Sequence, residues 1–335
     1  MALAQDILLG AQAGAVLLPA CDHYSGVEAR MRKSLALQAE MQAEFGACVF
    51  DVTLDCEDGA PVGGEAEHAH MVAELANAAA AASGGKARVA VRVHPVDHPH
   101  FGQDISIIVG KAGGALCHIM LPKVESPQDV DLAKKAVMSA CEWNSTADCP
   151  IPLQVLIESP AAVHRAFDIA AHPAVQSLSF GLMDFVSAHG GAIPAQAMSS
   201  EGQFSHPLVV RAKLEIASAC HAHGKVPAHG VVTEFADAAR MQAAATKASR
   251  ELGYTRMWSI HPSQIRPILA AFAPSDADID SACAILDAAQ AAQWAPISHG
   301  GVLHDRASYR YYWQVIQRAQ RTGHALDARI TRFFN

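Results

Sequence analysis

Short apolar runs alternate along this chain with longer stretches in which apolar residues recur every three or four positions. The runs are Ala15–Pro19, Cys48–Asp55, Arg88–His94, Cys117–Pro122, Leu153–Glu158, Ser177–Phe180, Lys225–Gly230 and Met257–Ile260. Runs of this length without polar alternation read as parallel strands buried under helices. The helical spacing appears between them, in Gly26–Phe45, Ala66–Ala82, Gln128–Trp143, Ala161–Ala171 and Pro207–His223. Eight strand–helix units in about 260 residues predict an α/β fold of the (β/α)8 TIM-barrel type rather than an open sheet.

Helix starts carry their own signals. Ser126-Pro127-Gln128-Asp129 places Ser at a cap, Pro at the first helical position and an acid soon after, and Ser159-Pro160 repeats the first two. Pro274–Asp278 opens a helix whose Ile279, Cys283, Leu286 and Ala289 share one face. A loop rich in Gly and His follows, then a helix over 308–321 with Tyr309, Trp313 and Ile316 on one side. These segments lie past the eighth strand, so they cannot form the barrel wall. The division expected is a barrel over 1–275 and a C-terminal helical extension over 276–335, acting as a lid or an oligomer contact.

Composition narrows the possibilities. Of 335 residues 51% are hydrophobic, and the net charge is −8, which argues against nucleic acid as a partner. No apolar run reaches the ~18 residues of a membrane span. The stretch ILLGAQAGAVLLPAC resembles a signal core, but residues 1–29 hold no Lys or Arg and Asp6 stands where a positive charge is needed. The eight Cys include no CxxC pair, as expected of reduced thiols in a cytoplasmic protein.

Polar residues gather at the expected C-terminal strand ends, where this barrel type carries its active sites. They are His23, Asp55, Glu57, Asp58, Arg92, His94, Lys123, Glu125, Glu158, Asp184, His229 and His261. Glu158 and Asp184 each end an apolar run, and two carboxylates on one rim suit a hard cation such as Mg²⁺. Asp55, Glu57 and Asp58 crowd within LDCEDG and need cationic partners. Arg92 sits in an apolar strand, so it must be paired, with Glu57 or Asp58 as candidates, and it suits a carboxylate or a developing oxyanion. Lys123 suits charge balance better than covalent catalysis. The HPVDHPH segment (94–100) matches no zinc spacing and reads as a polar loop.

Together these motifs resemble the superfamily of the citrate lyase beta subunit and malyl-CoA lyase, the HpcH/HpaI aldolases. LDCEDG is similar to its DLEDAV stretch, and Arg88–Val93 to its VRVN strand with His94 in place of Asn. LPKVES, VLIESP, FGLMDFVSAHG and SIHPSQI…FAPSDADI resemble its remaining signatures, in order. The resemblance implies a Mg²⁺-dependent TIM barrel (Mn²⁺ as a possible substitute) that makes or breaks a C–C bond beside a carbonyl. It implies Glu158 and Asp184 as metal ligands, with Arg92, Gly181 and Met183 meeting the substrate. Asp55, Glu57, Asp58 and Lys123 would support them. The GGVLHDR loop resembles one that ends in a catalytic aspartate reaching a neighbouring subunit, here Asp305, which implies a homotrimer or homohexamer. The expected substrate is a hydroxyacyl-CoA thioester yielding a small 2-oxo acid.

Two departures bear on that substrate. The family usually has an Arg before its first strand and basic residues after DLEDAV, which help to hold coenzyme A. Here neither 1–29 nor 59–85 contains Lys or Arg, although Arg30, Arg32 and Lys33 stand nearby. A free-acid aldolase, or a non-catalytic paralogue that binds a ligand within a complex, are the alternatives.

Overall fold

The computed structural model describes residues 4–10, 17–143 and 151–334. Eight parallel strands close a barrel in chain order: β1 Cys21–Ser25, β2 Phe50–Asp55, β3 Val89–Arg92, β4 Leu116–Leu121, β5 Leu153–Ile157, β6 Val175–Phe180, β7 Val226–His229 and β8 Arg256–Ser259. Closure is made by β8 on β1, with Asp22 opposite Trp258 and His23 opposite Ser259. Helices cover the outside, as the alternation predicts. The caps form at Ser159, whose Oγ accepts from Ala162 N at 3.0 Å, and at Ser275 with Asp278 in a capping box. At 126–129 the acid does more of the capping than the serine: Asp129 Oδ2 accepts from the backbone N–H groups of Glu125 and Ser126.

The first strand lies elsewhere than expected. Residues 15 and 16 fall outside the described residues, 17–19 are not strand, and β1 begins after Pro19, at Cys21. The strand was hidden because its polar residues are buried. Asp22 is fully buried, accepting from Thr53 Oγ1 at 2.7 Å and pairing with Arg256 at 2.8 Å. A charge inside a barrel reads in a sequence like a charge in a loop.

Alternate strand residues point into the barrel, and they stack in three levels. At the N-terminal end lie Asp22, Asp51, His118, Gln154 and Arg256, all inaccessible to solvent. Above them Tyr24, Met120, Leu156, Ala228 and Trp258 make a small separate core. At the C-terminal end stand Asp55, Arg92 and Glu158. In the lowest level Arg256 meets Asp22 at 2.8 Å and Asp51 at 2.7 Å, and Arg88 meets Asp51 at 2.5 Å. Two carboxylates thus answer two guanidiniums. His118 adds no charge at neutral pH, because burial drives its imidazole down to about 4.

The chain beyond β8 builds a second core. Helices 276–291, 306–319 and 328–331 pack with the N-terminal helix Ala4–Leu9 around Leu8, Ile279, Leu286, Trp313, Ile316 and Ile330. A hairpin, β9 Ile297–His299 and β10 Val302–His304, projects between two of these helices. This unit touches the N-terminal end of the barrel: Arg321 donates to Leu18 O at 3.1 Å, and Gly323 packs on Phe45. It is therefore no lid over the C-terminal rim of its own chain.

Breaking a buried pair leaves an uncompensated charge. Arg256→Met is expected to cost about 3–5 kcal/mol of unfolding free energy on that ground, measured by urea denaturation. An unchanged midpoint would show that Asp22 and Asp51 do not need the guanidinium.

Candidate active site

A cavity of about 880 Å³ opens at the C-terminal rim, and Glu158, Asp184 and Arg92 all line it. Glu158 follows β5 directly. The β5–β6 register pairs Ile157 with Phe180, which brings Gly181 beside Glu158. A Cβ on Gly181 would lie 2.3 Å from Glu158 Oε1, so only glycine leaves the carboxylate its place. Asp184 stands in the first turn of helix Leu182–Ser187, where the helix dipole favours an anion. Glu158 is 7% exposed, and its Oε2 accepts from Lys123 N at 2.8 Å. Lys123 holds that N–H in place with a left-handed backbone, φ 52°. Burial, and then the charge of Asp184, push the Glu158 carboxyl up to about 7; the Lys123 N–H and Arg92 pull the other way.

Arg92 ends β3 in a fork of carboxylates. Its Nε and a terminal nitrogen donate to the two oxygens of Asp55 at 2.7 and 2.5 Å, and Glu57 lies 3.0 Å from its other terminal nitrogen. The principal partner is thus Asp55; of the two expected, Glu57 takes part and Asp58 does not. Asp58 instead accepts from Lys123 Nζ at 3.1 Å, and Glu57 accepts from the same ammonium. Burial alone would lower the Lys123 pKa, but Glu57 and Asp58 outweigh it and hold the ammonium above the ordinary lysine range. A lysine so held stays protonated and is no Schiff-base nucleophile. Gly59 completes the turn, its N–H donating to Asp55 Oδ2 at 3.0 Å. A Cβ there would lie 2.2 Å from that oxygen, so this turn has room only for glycine.

Of the residues singled out in the sequence, Asp55, Asp58, Gly181, Met183, His23 and His261 also line the cavity. Glu57 and Lys123 act from behind, through Arg92 and the Glu158 loop. His229 is buried away from it, stacked on Phe204 at 5.3 Å. Asp305 caps helix 306–319, its Oδ1 accepting from Ala307 N at 2.9 Å, and among the described residues none after Pro262 lines the cavity of the same chain. Sequence reasoning missed Tyr24 and Trp258, which stack at 4.0 Å in the cavity wall, with the Arg92 guanidinium 5.7 Å from the Tyr24 ring centre. The signal was the alternation of Tyr24 with Asp22 in the overlooked β1. Arg30 and Lys33 line the mouth, while Arg32 is paired with Glu28 at 2.7 Å instead.

Gly181→Ala is expected to cost about 1–3 kcal/mol through overpacking against Glu158, read from guanidinium melts. A wild-type melt would mean that the carboxylate has room to move.

The family model for HpcH/HpaI aldolase/citrate lyase matches residues 34–262. An L-malyl-CoA/beta-methylmalyl-CoA lyase of Cereibacter sphaeroides is 32% identical over 252 residues, covering 72% of this chain and 77% of its own. A citrate lyase structure from Burkholderia xenovorans LB400 is 51% identical, with a TM-score of 0.80 over 96% of this chain and 98% of that one. CitE from Mycobacterium tuberculosis, crystallised with magnesium, acetoacetate and coenzyme A, shares the fold at 20% identity and a TM-score of 0.66, over 90% of this chain and 98% of its own. The chain belongs to the HpcH/HpaI aldolase/citrate lyase family and is a lyase.

Proposed function

We propose that this lyase cleaves, or in reverse forms, the C–C bond of a malyl-CoA- or citramalyl-CoA-like 3-hydroxyacyl thioester and releases a 2-oxo acid. The observation that carries the reading is the placing of Glu158 and Asp184 in one cavity with Arg92. The residues fit a hard divalent cation. Burial, and then the charge of Asp184, raise Glu158, and neither carboxylate forms an ion pair among the described residues. Magnesium, or manganese in its place, would act there as a Lewis acid on the oxygens that become the 2-oxo acid.

The chain's own residues do the rest. In cleavage the hydroxyl gives up its proton, the bond between the carbinol carbon and the thioester α-carbon breaks, and its electron pair forms the thioester enolate. The α-carbon then takes a proton. Arg92, locked by Asp55 and Glu57, presents a fixed positive charge to the oxyanion. Asp305 of a neighbouring subunit, in a homotrimer or homohexamer, moves the proton. The 276–335 unit is read as the part that packs on that neighbour. Arg30 and Lys33 support the thioester reading over the free-acid one. Both are exposed at the cavity mouth, and neither forms an ion pair among the described residues, so both are available to phosphate groups. A cytoplasmic location suits such a substrate.

The test is turnover of malyl-CoA and citramalyl-CoA with Mg²⁺, following 2-oxo acid release. Glu158→Ala and Asp184→Ala are each expected to lose at least about a hundredfold, as removal of a metal's direct ligands should. Arg30→Ala/Lys33→Ala is expected to raise KM for the thioester while kcat holds. Equal turnover of the free hydroxy acids would favour the free-acid aldolase. No turnover of any of them would favour the non-catalytic paralogue.

Metal affinity should also depend on pH. The cation binds ionised Glu158, whose pKa is raised to about 7, so a proton competes below that value. The apparent Kd for Mg²⁺ is expected to tighten about tenfold from pH 6 to pH 8 and level off above. A flat profile in calorimetry would remove Glu158 from the ligand set.

A further inference from the structure

Two arginines depart from the pattern set by the other sheltered ones. Among the described residues, Arg88, Arg92, Arg256 and Arg329 are not exposed, and each meets a carboxylate. Arg318 and Arg321 are half-buried at the end of helix 306–319 and form no ion pair among the described residues. Arg318 Nε is buried without a hydrogen bond. Arg321 donates only to neutral carbonyls, from Nε to Gln317 O at 3.2 Å and from one terminal nitrogen to Leu18 O at 3.1 Å. Both side chains line one cavity of about 410 Å³. We infer that this cavity is a second ligand site, for a small organic phosphate bound as its dianion.

The cavity lies at the N-terminal end of the barrel, away from the rim that carries Glu158. Leu18, Val226 and Thr255 bound it where β1, β7 and β8 begin, and Val315 faces them from helix 306–319. Among the described residues it shares none with the C-terminal cavity. A ligand there would bridge the barrel and the C-terminal helices.

Charge is what the cavity lacks. No Asp or Glu lines it among the described residues, while a guanidinium stays protonated inside proteins. Burial, and then Arg250, pull the Arg318 pKa down; burial, and then Arg318, pull that of Arg321 down to about 10. For Arg92 and Arg256 burial acts the same way, but their carboxylates outweigh it. Asp278 also acts on Arg318, yet its Oδ2 is engaged by the N–H and hydroxyl of Ser275 at 3.0 and 2.8 Å. Two guanidiniums without a counter-ion call for a dianion, and their planar forks match phosphate oxygens. A phosphate monoester carries about two negative charges at neutral pH, where a carboxylate carries one. The apolar Leu18, Val226 and Val315 suit a short carbon body beside it, and the volume falls in the range of small-molecule sites.

Phenyl phosphate is the probe, titrated calorimetrically into the full chain in EDTA so that no metal at Glu158 and Asp184 draws it. One phenyl phosphate per chain is expected, with benzoate, a monoanion on the same ring, at least about tenfold weaker. Arg318→Gln and Arg321→Gln are each expected to weaken binding at least about tenfold. Arg30→Ala/Lys33→Ala, at the other cavity mouth, is expected to leave it unchanged. Hydrogen exchange on the wild type reads the site without any variant: phenyl phosphate is expected to protect 314–322 and not 26–33. No binding to the wild type, benzoate binding as tightly, full binding in both folded Gln variants, loss in Arg30→Ala/Lys33→Ala, or protection confined to 26–33 would each overturn the assignment.

Discussion

Burying a guanidinium costs several kcal/mol unless carboxylates meet it in good geometry. This barrel solves that problem at both ends of its interior. At the N-terminal end Arg256 is inaccessible to solvent and is answered by Asp22 and Asp51. At the C-terminal end Arg92 is answered by Asp55 and Glu57. The second pairing governs the site. It consumes two of the three acids of LDCEDG and aims Arg92 at the cavity. Lys123 takes up the third acid, and its backbone N–H steadies Glu158. Among the described residues, the cavity acids that form no ion pair are Glu158 and Asp184, and these are the two a cation would seek.

How much of this was legible depended on where polarity fell. β5 and β6 carry no charge and end in Leu156-Ile157 and Phe180, so LQVLIESP and LSFGLMD announce both the strand and the acid that follows it. β1 buries Asp22 and His23, and the apolar VLLP before it is the more strand-like stretch of sequence. Tyr24 went unseen with that strand, and Trp258 with it, because their stacking joins the first strand to the last. The principal partner of Arg92 is hidden for a different reason. Asp55 ends β2, and the parallel register sets it directly against Arg92 at the end of β3; Glu57 and Asp58 are nearer the loop but not in that register. Register across strands is tertiary information, and adjacency in the chain is a poor substitute for it.

Glycine tells a similar story. Gly181, expected to meet the substrate, and Gly59 each have a carboxylate oxygen where a side chain would begin. The site's carboxylates are held partly by what their neighbours lack. Small-residue positions of this kind emerge only once the strands are placed.

The middle level of the barrel has one more consequence. Tyr24, Met120, Leu156, Ala228 and Trp258 separate two charged levels, and the lower one is neutral as a whole, with Asp22 and Asp51 set against Arg88 and Arg256. A neutral cluster projects little field through an apolar layer, so the foundation and the reaction chamber are electrostatically insulated. Plain hydrophobic packing in place of the foundation would leave the tuning of the acids above unchanged, and a reshaped chamber would leave the foundation's ion pairs in place.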